Sequence, residues 1–154
     1  MNTYEKAKRI AARYIAARMY TCREIEDRLR RKGIELSIAE QVVSEFAEAG
    51  ILDDRLYAET YVSQAVKLCG KGMYRIKQEL YAKGIAKSIA DSVFEESDGN
   101  TFEALCEYVE SRRLHEGIKT RRDYERLRAR LARRGFSPCE IKECLNKYEF
   151  NFED

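Results

Sequence analysis

The sequence repeats with a period of 51 residues, and this repeat constrains the fold more than any other feature. Adding 51 once, and then twice, maps each apolar position onto an apolar or small residue and one glycine onto a glycine. The matching sets are Ile25, Leu29, Gly33, Ile34, Ala39, Val42 and Val43; Ile76, Leu80, Gly84, Ile85, Ala90, Val93 and Phe94; and Leu127, Leu131, Gly135, Phe136, Ile141, Cys144 and Leu145. Such long repeats are typical of arrays in which each unit buries its apolar face partly against its neighbours.

Helix start and stop signals recur through the chain. Six segments have the capping-box form. In this motif a short polar side chain accepts from a free backbone N–H of the first helical turn, and the side chain of an acid three residues later accepts from the backbone N–H of the cap residue. They begin at Thr21, Ser37, Ser88, Asn100, Thr120 and Ser137. Apolar periodicity breaks at six glycines that we expect to end helices, namely Gly33, Gly50, Gly84, Gly99, Gly117 and Gly135. The prediction is nine helices, near residues 5–18, 22–32, 38–49, 54–69, 73–83, 88–96, 101–114, 121–134 and 138–148.

Each repeat is therefore predicted to be three short amphipathic helices, similar to a helix-turn-helix. The predicted fold is all-α, with three tandem three-helix repeats at residues 1–50, 51–98 and 99–154. The third repeat carries a short insertion around His115–Thr120. Arrays of this type form elongated, curved bodies whose concave surfaces suit binding of another extended polymer.

Composition excludes several classes of protein. Eight glycines and one proline are few for a β-rich fold dense in turns. The five cysteines form no C-x-x-C pair, so we predict buried or half-buried thiols in a reducing compartment rather than disulfides or a zinc site. They are Cys22, Cys69, Cys106, Cys139 and Cys144. Met1–Arg13 is too polar for a signal peptide, and no apolar run is long enough to span a membrane, so we expect a cytoplasmic protein.

Candidate catalytic residues are few. The only histidine, His115, lies in the inserted loop, where we expect it to be exposed, and no Walker loop is present. The pair Asp53-Asp54 could hold a magnesium ion. We favour instead a role in capping the helix that starts near residue 54. The prediction is a protein without enzymatic activity, cofactor or bound metal.

The second helix of each repeat is the most basic element. If Leu127 and Leu131 face the core, the arginines of the third repeat form a stripe along one flank of their helix. Cations recur on the equivalent flanks of the first two repeats. The eight residues are Arg28, Arg31, Lys71, Arg75, Arg122, Arg126, Arg130 and Arg133. Because the guanidinium fork suits phosphates and carboxylates, we predict that they bind a polyanion or an acidic protein. The alternative is a solvated face with ion pairs four residues apart.

Two segments resemble the central signature of the RecX family of bacterial regulatory proteins. They read Gly50-Ile51-Leu52-Asp53-Asp54-Arg55-Leu56-Tyr57-Ala58 and Gly70-x-Gly72-x-x-Arg75-Ile76-x-x-Glu79-Leu80-x-x-Lys83-Gly84-Ile85. The segment Thr21-x-x-Glu24-Ile25-x-x-Arg28-Leu29-x-x-Lys32-Gly33 is similar to the first repeat of the family. The chain departs from the pattern at Leu56 and around Ser63–Ala65, where the family often has basic residues. The outer repeats are therefore expected to carry more of the basic charge.

The resemblance implies three tandem three-helix repeats and a partner, the RecA recombinase filament. A member of this family would lodge in the filament groove and suppress ATP hydrolysis and DNA strand exchange, modulating recombinational repair and the SOS response. The eight cations would face the filament or the single-stranded DNA within it, and we expect a monomer. Two alternatives stay open: a stand-alone helix-turn-helix-type DNA-binding protein, and an adaptor whose acidic third helices bind a basic partner.

Overall fold

The computed structural model describes residues 2–96 and 101–154, and within those ranges it contains nine α-helices and no strand. The helices are α1 (Thr3–Ala17), α2 (Cys22–Arg31), α3 (Leu36–Glu48), α4 (Asp54–Cys69), α5 (Met73–Ala82), α6 (Lys87–Glu96), α7 (Thr101–Ser111), α8 (Arg121–Arg133) and α9 (Pro138–Leu145). The predicted all-α fold of three-helix repeats is confirmed. Over the same ranges, the helices are too short or too polar to cross a membrane.

Three of the six predicted capping boxes are present. Thr21, Thr120 and Ser137 each accept from the backbone N–H three residues later, and the acid at that position accepts from the cap. The prediction is wrong at Ser37 and Ser88, because α3 begins at Leu36 and α6 at Lys87. In the 51-residue register the cap positions equivalent to Ser137 are Glu35 and Ala86, which offer no short side-chain hydroxyl. The predicted signals at Gly99 and Asn100 lie outside the described residues.

The chain forms two compact units, of which unit 1 comprises Met1–Thr60 and Leu80–Glu95. Within it, α1, α2 and α3 pack around one apolar core. The fully buried centre of that core consists of Ala7, Ala11, Ile25, Leu29, Ala39 and Val42. The apolar positions that define the repeat thus face inward, which is the arrangement that burial of a helical stripe requires.

Unit 2 comprises Tyr61–Glu79 and Glu96–Asp154. Here α9 packs against both α7 and α8. The most deeply buried residues of this core are Leu105, Val109, Leu131, Phe136, Cys144 and Leu145. The predicted repeat limits at residues 50 and 98 do not coincide with the limits of these units and stay a prediction.

In unit 1, the start of α2 packs against the end of α5. The hydroxyl of Thr21 donates to the carbonyl oxygen of Lys83 at 2.6 Å, while the same oxygen atom of Thr21 accepts from the amide of Glu24 at 3.1 Å. The guanidinium of Arg23 donates to the carbonyl of Ala82. The last carbonyls of a helix have no partner within it, so these donors satisfy groups that would otherwise stay unpaired.

The same junction occurs in unit 2, displaced by 51 residues. The amide of Gly72 donates to the carbonyl of Arg134 at 2.8 Å, and the amide of Tyr74 donates to Gly135 at 3.2 Å. The start of α5 thus packs against the end of α8, as α2 packs against the end of α5. In each junction the electropositive start of one helix meets the electronegative end of another, which is favourable. Gly72 has no side chain, and any Cβ there would overlap the backbone of Gly135.

Replacing a core leucine tests the packing. Leu80 in α5 is fully buried, so Leu80→Ala should lower the free energy of unfolding by about 2–5 kcal/mol through lost contacts and a cavity. The matched control is Leu68→Ala in α4, where 81% of the residue is exposed and the change should stay within about 0.5 kcal/mol. Urea unfolding followed by circular dichroism measures both. Equal effects of the two variants would contradict the assigned burial.

A pair of threonine variants tests the junction in unit 1. Thr21→Val removes both a helix cap and the donor to the half-buried carbonyl of Lys83, and should cost about 2–4 kcal/mol because two hydrogen bonds of a buried hydroxyl are lost. Thr120→Val removes only the cap of α8 and should cost about 0.5–2 kcal/mol. The readout is again the free energy of unfolding in urea. A Thr21→Val effect no larger than that of Thr120→Val would show that the bond to Lys83 adds nothing.

Candidate binding surface

Four arginines line one exposed flank of α8. Arg122, Arg126, Arg130 and Arg133 are all exposed, whereas Leu127 and Leu131 on the other side of the helix are buried. At 100° and 1.5 Å per residue, the four lie within an arc of about 80° and span about 16 Å along the axis. We call this set the α8 stripe. It offers a row of planar donors to an elongated anionic surface.

The α8 stripe has few internal partners. Arg130 donates to the hydroxyl of Tyr108 at 3.5 Å, and within residues 2–96 and 101–154 no carboxylate pairs with the other three arginines. Asp123 lies near Arg126, but its carboxylate accepts from the amides of Lys119 and Thr120, which lowers its pKa. The stripe therefore keeps most of its positive charge available to a partner.

The two predicted cations of unit 1 have different environments. Arg31 is exposed in the last turn of α2, where a cation complements the helix dipole. Arg28 is half-buried, and its guanidinium lies 5.0 Å from the ring centroid of Tyr14 and 4.9 Å from that of Tyr20. Such cation–π contacts stabilise the packing of α1 against α2. Arg28 thus contributes to the fold and presents less of its charge to solvent than Arg31.

Lys71 and Arg75 come together on a single carboxylate. Glu79 accepts from the ammonium of Lys71 at 2.6 Å and from the hydroxyl of Tyr61 at 2.7 Å, and its carboxylate lies 3.6 Å from Arg75. Only about a fifth of the Lys71 and Glu79 side chains is exposed, at 21% and 23%. The second repeat therefore contributes less free positive charge than its sequence suggests.

Two arginines that the pattern did not single out hold the junctions. The guanidinium of Arg134 donates to the carbonyls of Cys69 and Gly70 and lies 4.4 Å from the ring centroid of Tyr108. Arg23 holds the junction of unit 1 from the opposite side, because it lies in the first turn of α2 and donates to the carbonyl of Ala82 at the end of α5. Arg23 lies near the start of α2, and Arg134 lies directly after the end of α8. The sequence repeat therefore indicates where these two residues lie, but not which carbonyls they bind.

The other candidate sites have structural roles. Asp53 caps α4 by accepting from the amide of Leu56 at 3.1 Å, and Asp54 accepts from the amide of Cys22 at 2.9 Å. The capping role that we favoured for the pair is thus confirmed for Asp53, whereas the side chain of Asp54 binds the first amide of α2. The expected exposure of His115 is wrong, because its ring is half-buried and stacks on Tyr148 with centroids 4.3 Å apart.

The cysteines divide by exposure. Cys22 and Cys144 are half-buried and buried, and burial raises the pKa of each thiol to about 12. These thiols stay protonated and unreactive at neutral pH. Cys106 is also half-buried, but Cys69 and Cys139 are exposed, so the prediction of buried or half-buried thiols is wrong for these two. Each lies at the end or start of a helix, where the apolar periodicity no longer dictates burial.

Comparison with known proteins identifies relatives over most of the chain. The model of the RecX first three-helix domain matches residues 7–46, and that of the RecX second three-helix domain matches residues 53–93. The regulatory protein RecX of Halorhodospira halophila is 33% identical over 139 residues, which cover 90% of this chain and 85% of the relative. That of Chlorobium phaeobacteroides is 28% identical over 145 residues, covering 93% of both chains.

A solved structure has the same fold. The crystal structure of RecX from Lactobacillus salivarius superposes with a TM-score of 0.80 at 26% sequence identity. The match covers 94% of this chain and 96% of that protein. The helical repeat architecture is therefore shared along nearly the whole length of both chains.

The Glu79 network predicts a pH dependence. Burial raises the pKa of Glu79, but hydrogen bonds from Lys71 and Tyr61 and the charges of Lys71 and Arg75 more than offset this, so the pKa lies below its ordinary value. Such a carboxylate stabilises the fold above its unfolded pKa of about 4.3, and the contribution is lost as the pH falls through the lower folded value. Glu79→Gln should therefore lower the free energy of unfolding at neutral pH and have little effect in strong acid.

The measurement is urea unfolding of wild type and variant across the acidic range. Glu143→Gln is the matched control, because Glu143 is an exposed residue of α9 outside this network and the change should be neutral at every pH. A difference between wild type and Glu79→Gln that stayed constant with pH would rule out the ion-pair role of Glu79.

Proposed function

The chain belongs to the RecX family of regulatory proteins, and on that premise we propose that it binds the RecA recombinase filament and suppresses its ATP hydrolysis and DNA strand exchange. It would act as a monomer without catalytic activity of its own. In the cytoplasm this activity would modulate recombinational repair and the SOS response.

The α8 stripe is the observation that supports a direct electrostatic role. Its arginines are exposed, aligned and largely without internal carboxylate partners, whereas Lys71 and Arg75 are held by Glu79. A nucleoprotein filament is a polymer of high negative charge, and cations that neutralise phosphates add affinity in a salt-dependent way. We therefore assign the principal contact to α8, with Arg31 as a second contact in unit 1.

A stand-alone DNA-binding role is the second candidate, because the same α8 stripe could contact phosphates without RecA. The two functions differ in their requirement for the filament. A stand-alone binder would hold DNA tightly at physiological salt in the absence of RecA, with a steep dependence on salt. A filament regulator would bind free DNA weakly and change RecA activity at a stoichiometric ratio.

Charge reversal on α8 tests the proposal. Arg122→Glu combined with Arg126→Glu should raise the concentration needed for half-inhibition of RecA ATP turnover on single-stranded DNA by about tenfold or more, because two favourable contacts become repulsive. The helix content measured by circular dichroism should not change, since both side chains are exposed.

The matched control is Lys6→Glu combined with Arg13→Glu on α1. Both residues are exposed, and the pair changes the net charge by the same amount in unit 1. It should inhibit RecA almost as well as wild type. If wild-type protein leaves RecA ATP turnover unchanged at stoichiometric excess, the proposed function is wrong. If the two double variants inhibit RecA equally, only the assignment of the contact to α8 is wrong.

A further inference from the structure

Residues 149–154 follow α9 and fold back onto the start of α8. We call them the return segment; they read Glu-Phe-Asn-Phe-Glu-Asp and carry three carboxylates and two aromatic rings. The amide of Glu153 donates to the carbonyl of Lys119 at 2.7 Å. The carboxylate of Asp154 accepts from the amide of Arg121, with oxygens at 3.2 and 3.3 Å. An acidic segment is thus held against the first turn of the most basic helix.

Aromatic contacts hold the return segment in place. The ring of Tyr124 in α8 makes edge contacts with Phe150 and Phe152, at centroid distances of 5.3 and 5.9 Å. The guanidinium of Arg121 lies 5.6 Å from the Phe152 ring centroid. Phe150 also packs on the core of unit 2, which the outer residues 151–154 do not join. The outer part therefore depends on a few exposed or half-buried contacts that a competing ligand could replace.

The position of the carboxylates relates the return segment to the α8 stripe. Asp154 binds the amide of Arg121, and the next residue, Arg122, is the first arginine of the stripe. The start of a helix attracts anions through its free amides and dipole, so Asp154 occupies a place that a phosphate could also take. The start of α5 is covered by the end of α8, and the start of α2 by the end of α5 together with the Asp54 carboxylate, which accepts from the amide of Cys22 at 2.9 Å.

We propose that the return segment is an internal competitor of nucleic acid, which occupies the start of α8 and must be displaced before a strand can contact the whole α8 stripe. This proposal rests on the proposed function, since it assumes that α8 meets a nucleic-acid strand. The segment lowers the affinity of the resting protein for free single-stranded DNA. Binding of a strand exchanges the Asp154 carboxylate at the amide of Arg121 for a phosphate.

The first test measures binding of a short fluorescein-labelled oligothymidylate at low salt by fluorescence anisotropy. Glu153→Gln with Asp154→Asn removes two charges without changing shape. The control Glu107→Gln with Glu143→Gln removes the same charge from exposed residues of α7 and α9. We expect the variant at Glu153 and Asp154 to bind about threefold to tenfold more tightly than the control, because only this variant removes negative charge that competes with phosphate at the start of α8. Equal affinities of the two doubles would overturn the proposal.

A charge-neutral variant separates displacement from general electrostatics. Phe152→Ala removes the ring that holds the outer part of the return segment on Tyr124 and Arg121, and should bind the oligothymidylate about twofold to threefold more tightly than wild type. Because Phe152 lies outside the core of unit 2, helix content should persist. Unchanged affinity of this variant would show that the segment is only a structural cover.

Hydrogen exchange in the wild-type chain gives an independent readout. The amide of Glu153 is bonded to Lys119, so saturating oligothymidylate should accelerate its exchange if the segment is released. Unchanged protection of this amide would contradict displacement. The proposed function and the assignment to α8 have separate failure signals. If wild-type protein leaves RecA ATP turnover unchanged, the proposed function is wrong. If Arg122→Glu with Arg126→Glu binds the oligothymidylate as well as wild type does, the α8 stripe is not the contact.

Discussion

The fold depends on the pairing of backbone groups at helix ends. A helix leaves its last carbonyls without partners, and short helices have proportionally more of these groups to satisfy. This chain pairs them with donors from the start of another helix, at Lys83 in unit 1 and at Arg134 and Gly135 in unit 2. Because the donors recur at a spacing of 51 residues, the sequence repeat reflects a repeated packing contact as well as a repeated core.

The junctions also determine which cations remain available. Arg133 and Arg134 are adjacent in sequence, yet Arg133 faces solvent while Arg134 donates to carbonyls at Cys69 and Gly70. Arg28 is similarly engaged with tyrosine rings, while Arg31, one turn further on, is exposed. One turn, or even one residue, decides whether an arginine stabilises the fold or presents its charge to a partner, and a count of basic residues cannot distinguish these roles.

The sequence predicts the helices and the α8 stripe well, because both follow from local periodicity. Apolar spacing locates the buried faces, and Leu127 and Leu131 orient the flank that carries the arginines. Prediction from the sequence fails where a residue's partner is distant in sequence or where an expected helix cap is missing. Ser37 and Ser88 look like caps, but the helices start earlier; the bonds of Arg134 and the folding back of Phe152 onto Tyr124 join elements that no short pattern connects.

The contact between Gly72 and Gly135 has a consequence for how such chains diverge. Two backbones meet there directly, so the geometry of the junction is set by peptide groups that every amino acid possesses. Surface side chains can then be exchanged freely as long as the two glycines stay. A protein sharing only 26% of its residues with this chain can accordingly keep nearly the same backbone. The charge pattern of the outer faces can therefore diverge while the framework beneath them stays constant.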